Sequence, residues 1–442
     1  MKNKKEGGIE APTRHAIDWQ SEDFYDTDAL NQELGRVFDI CHGCRRCVNL
    51  CHAFPTLFDL IDESSTLEVD GVDPADFSKV SDQCYLCDMC YMTKCPYVPP
   101  HEWNVDFPHL MLRAKANHFK HHGASLRDKI LSSTDAVGKA ATLPVIDKTV
   151  NALNNNVHFR GVLHKAGVHK DAPVPAYHSR TLRKSVPNVP SAIAPQPANG
   201  TTGKIALFAT CYGNYNSPAV GTDFFKVFEH NGIAIELVKS EQCCGMPKME
   251  LGDLESVRQA KERNIPVLLG MVEQGFDLTA PIPSCVLMFK QELPLLFPDD
   301  PDVLRVRDAF FDPFEYLSLR HKAGLLNTDF PHPLGDIGYQ VACHQRVQNI
   351  GMKTEEILKL VPGTTLHTQP RCSGHDGTYA VKVESHELAV KIGRPVVRKL
   401  ELHPLDHFTS DCPMAATHLA NLASNIEQAE HPITLLRKAY GL

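Results

Sequence analysis

The stretch EQCCGMPKMELG, Glu241 to Gly252, places two adjacent cysteines before a glycine, and QPRCSGHDGTY, Gln369 to Tyr379, repeats that pattern with Ser373 in place of the second cysteine. Reading outward from the two stretches exposes a longer repeat. In the first copy KIALFATC reads as a buried strand ending at Cys211, PAVGTDFFKVFEHNG as a helix, and IAIELVKS as a strand running into Cys243, Cys244 and Gly245. A helix through ESVRQAKERNIPVLLGMVEQG follows, then a strand-like stretch ending at Cys285. The second copy has a strand into Cys343, a helix near KTEEILKLV, a strand into Cys372, a helix near SHELAVKIGRPVVRKLE, and FTS leading into Asp411 and Cys412. Cys211 to Cys243 is 32 positions and Cys343 to Cys372 is 29; the next intervals, to Cys285 and Cys412, are 42 and 40. Strands alternating with helices favour a parallel sheet, and such sheets gather ligands beyond the carboxyl ends of their strands. The spacing therefore predicts that three separated segments in each copy converge on one cysteine cluster.

A second cysteine pattern lies upstream. CHGCRRCVNLC supplies Cys41, Cys44, Cys47 and Cys51, and CYLCDMCYMTKCP supplies Cys84, Cys87, Cys90 and Cys95. Two-residue gaps let a loop wrap three thiolates around one iron-sulfur cubane, while the fourth cysteine of each run reaches the other cluster. That logic assigns one [4Fe-4S] cluster to Cys41, Cys44, Cys47 and Cys95, and another to Cys84, Cys87, Cys90 and Cys51. Structural zinc sites usually draw their thiolates from separated pairs, which these runs are not. His52 stands where proline usually follows such a run, and the second run carries one extra residue before Cys95. Neither departure changes the thiol count.

The remaining composition bounds the function. Net charge is −8 over 442 residues, with only short basic patches, which argues against a nucleic-acid partner. No apolar run approaches the roughly 18 to 20 residues that span a bilayer, and no secretory leader is read at the start. Fifteen cysteines without a leader suit a reducing compartment, where thiols serve metals rather than disulfides. We expect a cytoplasmic protein, with any membrane contact peripheral on the inner face. Between the cysteine-rich ends, residues 111–170 read as helices broken near Gly123 and Pro144, and six prolines between Asp171 and Gly203 read as an extended linker. The histidines of NHFKHHG read as a solvated helix end. NGTTGKIAL lacks phosphate-loop spacing, and no G-x-G-x-x-G follows a predicted strand, so no flavin or nicotinamide is expected on this chain.

From about Asp39 to Ala439 the chain resembles the iron-sulfur subunits of anaerobic glycerol-3-phosphate dehydrogenase, glycolate oxidase and heterodisulfide reductase. The resemblance rests on the two ferredoxin runs together with FATCYGNYNSPAVG, EQCCGMPKMELG, PSCVLMFKQELP, ACHQRVQNIG, CSGHDGTY and EHPITLLRKA. It implies a multidomain α+β and α/β fold: a helical bis-[4Fe-4S] ferredoxin-like domain followed by a duplicated α/β CCG cysteine-rich domain. The expected boundaries are 1–110 for the ferredoxin-like part, 111–203 for the helical segment and linker, 204–330 for the first CCG half, and 331–442 for a degenerate second half. Carried over by motif, the first half keeps Cys211, Cys243, Cys244 and Cys285 as ligands of a candidate third cluster. Met288 replaces a further cysteine there.

The second half keeps Cys343, Cys372 and Cys412, with Ser373 and Ala415 where the fullest motif has cysteines. Three thiols need a fourth ligand from Ser373, His344, His375 or an external thiol. We expect this half to have lost its cluster and kept its fold. The resemblance implies an electron-transfer subunit, rather than a catalytic one, that relays electrons between a flavin-dependent dehydrogenase of glycerol-3-phosphate or 2-hydroxy-acid type and a quinone or other acceptor. Its partners would be the flavoprotein subunit and a membrane quinone-linked protein. A heterodisulfide-reductase-like thiol-disulfide reductase and a donor to a rubrerythrin-like peroxide-defence partner are the alternatives.

Overall fold

The computed structural model describes residues 12–442, apart from residues 94, 187–188 and 427. The first third is helical. Helix Thr27–Cys44 starts at Asp26, whose side chain accepts from Ala29 N–H, and buries Leu30, Leu34, Val37 and Phe38 along one stripe. Arg45, left-handed at φ 50°, ends it, so Cys41 and Cys44 share its last turn and Cys47 follows in the loop. Helix Ala53–Asp62 begins two residues after Cys51, and helix Phe107–His122 packs across the same core. Phe38, Phe54, Phe77 and Phe107 meet edge to face or tilted at its centre, with centroids 4.7–6.3 Å apart. The long helix ends at Gly123, as the sequence predicts, with its terminal histidines exposed.

The rest forms two four-stranded parallel sheets. The first comprises β1 (Lys204–Leu207), β2 (Ala234–Leu237), β3 (Asp277–Thr279) and β4 (Phe310–Phe311), in the order β2-β1-β3-β4. The second comprises β5 (Gly335–Gln340), β6 (Thr364–Gln369), β7 (His407–Ser410) and β8 (Ala429–Glu430), in the order β6-β5-β7-β8. Each sheet therefore places its strands in the same sequential order. Ile205, Ala206 and Leu207 are fully buried because helices cover both faces of the sheet. The register sets Ile205 beside Ile235 and Asp277 in one sheet, and Ile337 beside Leu366 and His407 in the other.

One apolar core runs from Phe38, Phe54 and Phe107 to Cys244, Met246, Cys285 and Met288, so the N-terminal helices pack directly on the first sheet. A second core joins Phe224 and Phe228 to Ile337, Ile433 and Leu436. There the C-terminal helix Pro432–Tyr440 lies against helix Pro218–His230 of the other sheet, with Arg437 paired to Asp223 at 2.9 Å. The proline-rich stretch contains one helical turn, Leu182–Ser185, anchored by the buried Leu182. Among the described residues no helix is long and apolar enough to cross a membrane.

Candidate metal centres

The thiols of the N-terminal runs converge as two sets, and all fifteen cysteines are thiols rather than disulfides. Burial pushes the Cys41 thiol well up, and Cys95, Cys47 and Cys44 are the neighbouring charges that push it further. Cys90 is raised by burial and then by Cys84, Cys87 and Cys51. One set is thus Cys41 with Cys44, Cys47 and Cys95, and the other Cys90 with Cys51, Cys84 and Cys87. They adjoin, since Cys47 also acts on Cys90. The second loop wraps tightly because Leu86 (φ 54°) and Asp88 (φ 60°) both take left-handed backbone between its thiols.

The first sheet gathers Cys211, Cys243, Cys244 and Cys285. Thr210 turns the chain beyond β1 at φ 63°, and its side chain accepts from Gly213 N–H, so Cys211 opens a short helix aimed at the site. Cys243 sits at the far end of a hydrogen-bond chain: Cys211 and Cys244 both donate to it, which holds it well below its ordinary value and raises both donors. Its backbone N–H donates to Asp135 Oδ2 at 2.5 Å, which ties the helical segment to the site. Gly245, at φ 100°, lets the chain reverse directly into helix Met246–Leu251. The sequence places Cys285 at the end of a strand; instead β3 stops at Thr279 and Cys285 lies within helix Pro283–Leu287. The Pro281 and Pro283 turn starts that helix early and still delivers the thiol to the group, where it accepts a hydrogen bond from Cys244. Met288 is fully buried, and its Cε would meet a Cβ added at Gly245.

In the second sheet, Cys343 and Cys372 hydrogen-bond to each other, which together with burial pushes Cys372 well up. Cys372 Sγ also donates to Asp376 Oδ2 at 3.4 Å. The sequence offers Ser373, His344, His375 or an external thiol as the further ligand here and carries no signal for this acid. Asp376 is reached by Cys51, Cys87 and Cys412 as well, so it faces both the residual cysteines of this half and the second N-terminal set. Gly374 (φ 80°) cannot be replaced without strain, because a Cβ there would lie 2.2 Å from Ala389 O. The glycine of the motif thus serves the fold even where the metal ligand beside it is gone. Ser373 accepts from His375 N–H, and both His375 ring nitrogens are buried without a hydrogen-bond partner.

Charged groups knit these sets together. Lys115, half-buried and lowered by desolvation, acts on Cys84 and on Glu250; burial raises Glu250 to about 8, and Glu250 also feels Cys243. Tyr379 donates to Gln83 Oε1 at 2.6 Å and packs edge-on to Tyr85 with centroids 5.1 Å apart, fastening the second sheet over the Cys84 loop.

The donor sets fit iron-sulfur clusters at three places. Four buried or half-buried thiols converge in each, and burial with the neighbouring thiols opposes ionisation of Cys41, Cys90 and Cys244 unless a cationic group compensates it. The second sheet does not fit a four-thiolate cubane: only Cys343, Cys372 and Cys412 remain.

Residues 205–290 match the family of CCG cysteine-rich domains. Over 320 residues the chain is 28% identical to a subunit of the anaerobic glycerol-3-phosphate dehydrogenase of Escherichia coli, an alignment covering 71% of this chain and 77% of that protein. It is 23% identical over 222 residues to a subunit of the fumarate reductase (CoM/CoB) of Methanothermobacter marburgensis, covering 49% of this chain and 41% of the relative. Lactate utilization protein A of Bacillus cereus is 28% identical over 189 residues, covering 41% of this chain and 75% of the relative.

Proposed function

We infer an iron-sulfur electron-transfer subunit, from a chain that carries a CCG cysteine-rich domain and is homologous to subunits of dehydrogenase and reductase complexes. We read it as a helical ferredoxin-like part followed by a duplicated CCG part, the shared strand order of the two sheets supporting the duplication. The observation that carries the reading is the convergence of Cys41, Cys44, Cys47 and Cys95 beside Cys51, Cys84, Cys87 and Cys90, with Cys211, Cys243, Cys244 and Cys285 gathered beyond the first sheet.

[4Fe-4S] clusters held by these thiolates would supply one-electron redox chemistry. The protein's own part is to hold each thiolate set in a fixed geometry, restrict water by partial burial, and place Lys115 where its charge offsets the negative sulfurs. The partner is a flavin-dependent dehydrogenase subunit of glycerol-3-phosphate or 2-hydroxy-acid type, and the acceptor a quinone-linked protein.

Anaerobic purification with iron and acid-labile sulfide analysis tests the reading. About twelve irons and twelve sulfides per chain are expected, four for each of three clusters. Reduction of the clusters by a flavoprotein and its substrate, followed by EPR, completes it. A colourless protein, or clusters that no flavoprotein reduces, would sink the proposal.

A further inference from the structure

In the second sheet, the ligand atoms of Cys343, Cys372 and Asp376 all lie within 4.8 Å of one another. A single zinc ion with thiolate ligands at about 2.3 Å in a tetrahedron sets those ligands roughly 3.8 Å apart. A cubane, with its ligands on separate iron corners, spreads them wider. The group is thus of single-ion size. Its Cys372 to Asp376 contact, at 3.4 Å, is already that close.

The remaining observations also point to an ion. Asp376 is held at φ 30°, a strained conformation for a non-glycine residue. His344 Nε2, in the residue after Cys343, is buried with no hydrogen-bond partner, and His344 neighbours Asp376. Cys412, the third thiol of this half, also lies within reach of Asp376.

We propose that the second half binds one zinc ion through Cys343, Cys372 and Asp376, with Cys412 completing the shell. Two or three thiolates with one carboxylate form a mixed soft and hard set that suits Zn²⁺. Binding displaces the thiol protons to solvent and involves no change of oxidation state. The ion fastens the segments around Cys343, Cys372 and Cys412 beside the Cys51 and Cys87 loop. The half that lost its fourth thiol thereby keeps a metal, but one without redox chemistry.

The test is independent of the electron-transfer reading, because it counts zinc rather than iron. The full chain, purified anaerobically from zinc-sufficient cells, should carry about one zinc per chain. X-ray absorption at the zinc edge should show sulfur near about 2.3 Å and oxygen at roughly 2.0 to 2.2 Å. Asp376→Asn and Cys372→Ser should each lose the zinc while iron and sulfide stay at the wild-type level, and Asp376→Glu should restore zinc. Absence of zinc in the wild type would overturn the proposal, as would its retention in both variants. A parallel loss of about four irons and four sulfides in Cys372→Ser would overturn it too, by showing a cluster there instead. A chain that holds zinc but no iron would uphold this proposal and defeat the electron-transfer one.

Discussion

Arg14 Nη1 lies 2.5 Å from Asp88 Oδ2, and Asp88 stands between Cys87 and Cys90 in the second thiol loop. The same guanidinium reaches Asp106 at 3.2 Å and Glu292 at 3.6 Å, so one arginine holds a buried carboxylate from the thiol loop, a half-buried one from the helix cap, and a buried one from the helical turn Met288–Glu292 that follows β3. Gln291 adds a bond to Asp88 from the sheet side. Removing one partner of a buried ion pair leaves an uncompensated charge, which costs about 3 to 5 kcal/mol. Arg14→Ala should lower stability by an amount of that order in anaerobic denaturant titrations, and the iron-sulfur absorbance should bleach sooner on dilution into air. An unchanged midpoint and bleaching rate would show that the network contributes nothing.

His109 belongs to the same network, with Nδ1 3.1 Å from Asp106 and Nε2 3.2 Å from Glu292. Burial alone would lower it, but the two carboxylates raise it to about 9 from its ordinary 6.5. A group raised on folding stabilises the fold fully below its unfolded value and loses that contribution as pH climbs through its folded value. The melting temperature should therefore fall between about pH 7 and pH 10 in the wild type, and His109→Gln should flatten the decline.

The two motif glycines should differ in what they tolerate. At Gly245 a Cβ finds its nearest neighbour 3.5 Å away, so Gly245→Ala carries mainly the backbone penalty of its φ of 100°. That is about 1 to 2 kcal/mol. At Gly374 the added Cβ also collides with Ala389 O at 2.2 Å, so the helix His386–Leu400 must shift. Gly374→Ala should destabilise the protein clearly more than Gly245→Ala in thermal melts under the same conditions.

Cysteine substitutions should separate the three proposed iron-sulfur sets from the second sheet. Cys44→Ser, Cys87→Ser and Cys244→Ser should each remove about four irons and four sulfides. Cys412→Ser should leave both counts unchanged. Inductively coupled plasma analysis with sulfide titration reads all four variants, and loss of iron in Cys412→Ser would contradict the assignment.

The alternation of strand and helix after Lys204 was legible in the chain because burial on both faces makes parallel strands continuous apolar runs, as in Ile205 to Phe208. The short fourth strands, Phe310–Phe311 and Ala429–Glu430, were not legible, since two residues carry no period. Cys285 was misplaced onto a strand for a related reason: the chain turns at Pro281 and Pro283, and proline marks a turn without saying whether a helix follows. Asp376 is not legible in the chain, because a single acid four residues beyond a cysteine has no signature of its own.

The cysteine spacing by itself determined which thiols share a loop, and the repeat determined that two sheets of one topology follow the helical part. Both are local properties, set by residue intervals that backbone geometry constrains directly. Only the packed chain decided that Asp376 faces Cys372, Cys412 and the Cys51 and Cys87 loop together, and that Arg14 joins Asp88 to Glu292. Most of those partners lie far apart along the chain. Their meeting depends on how helices and sheets stack, which no interval along the chain encodes.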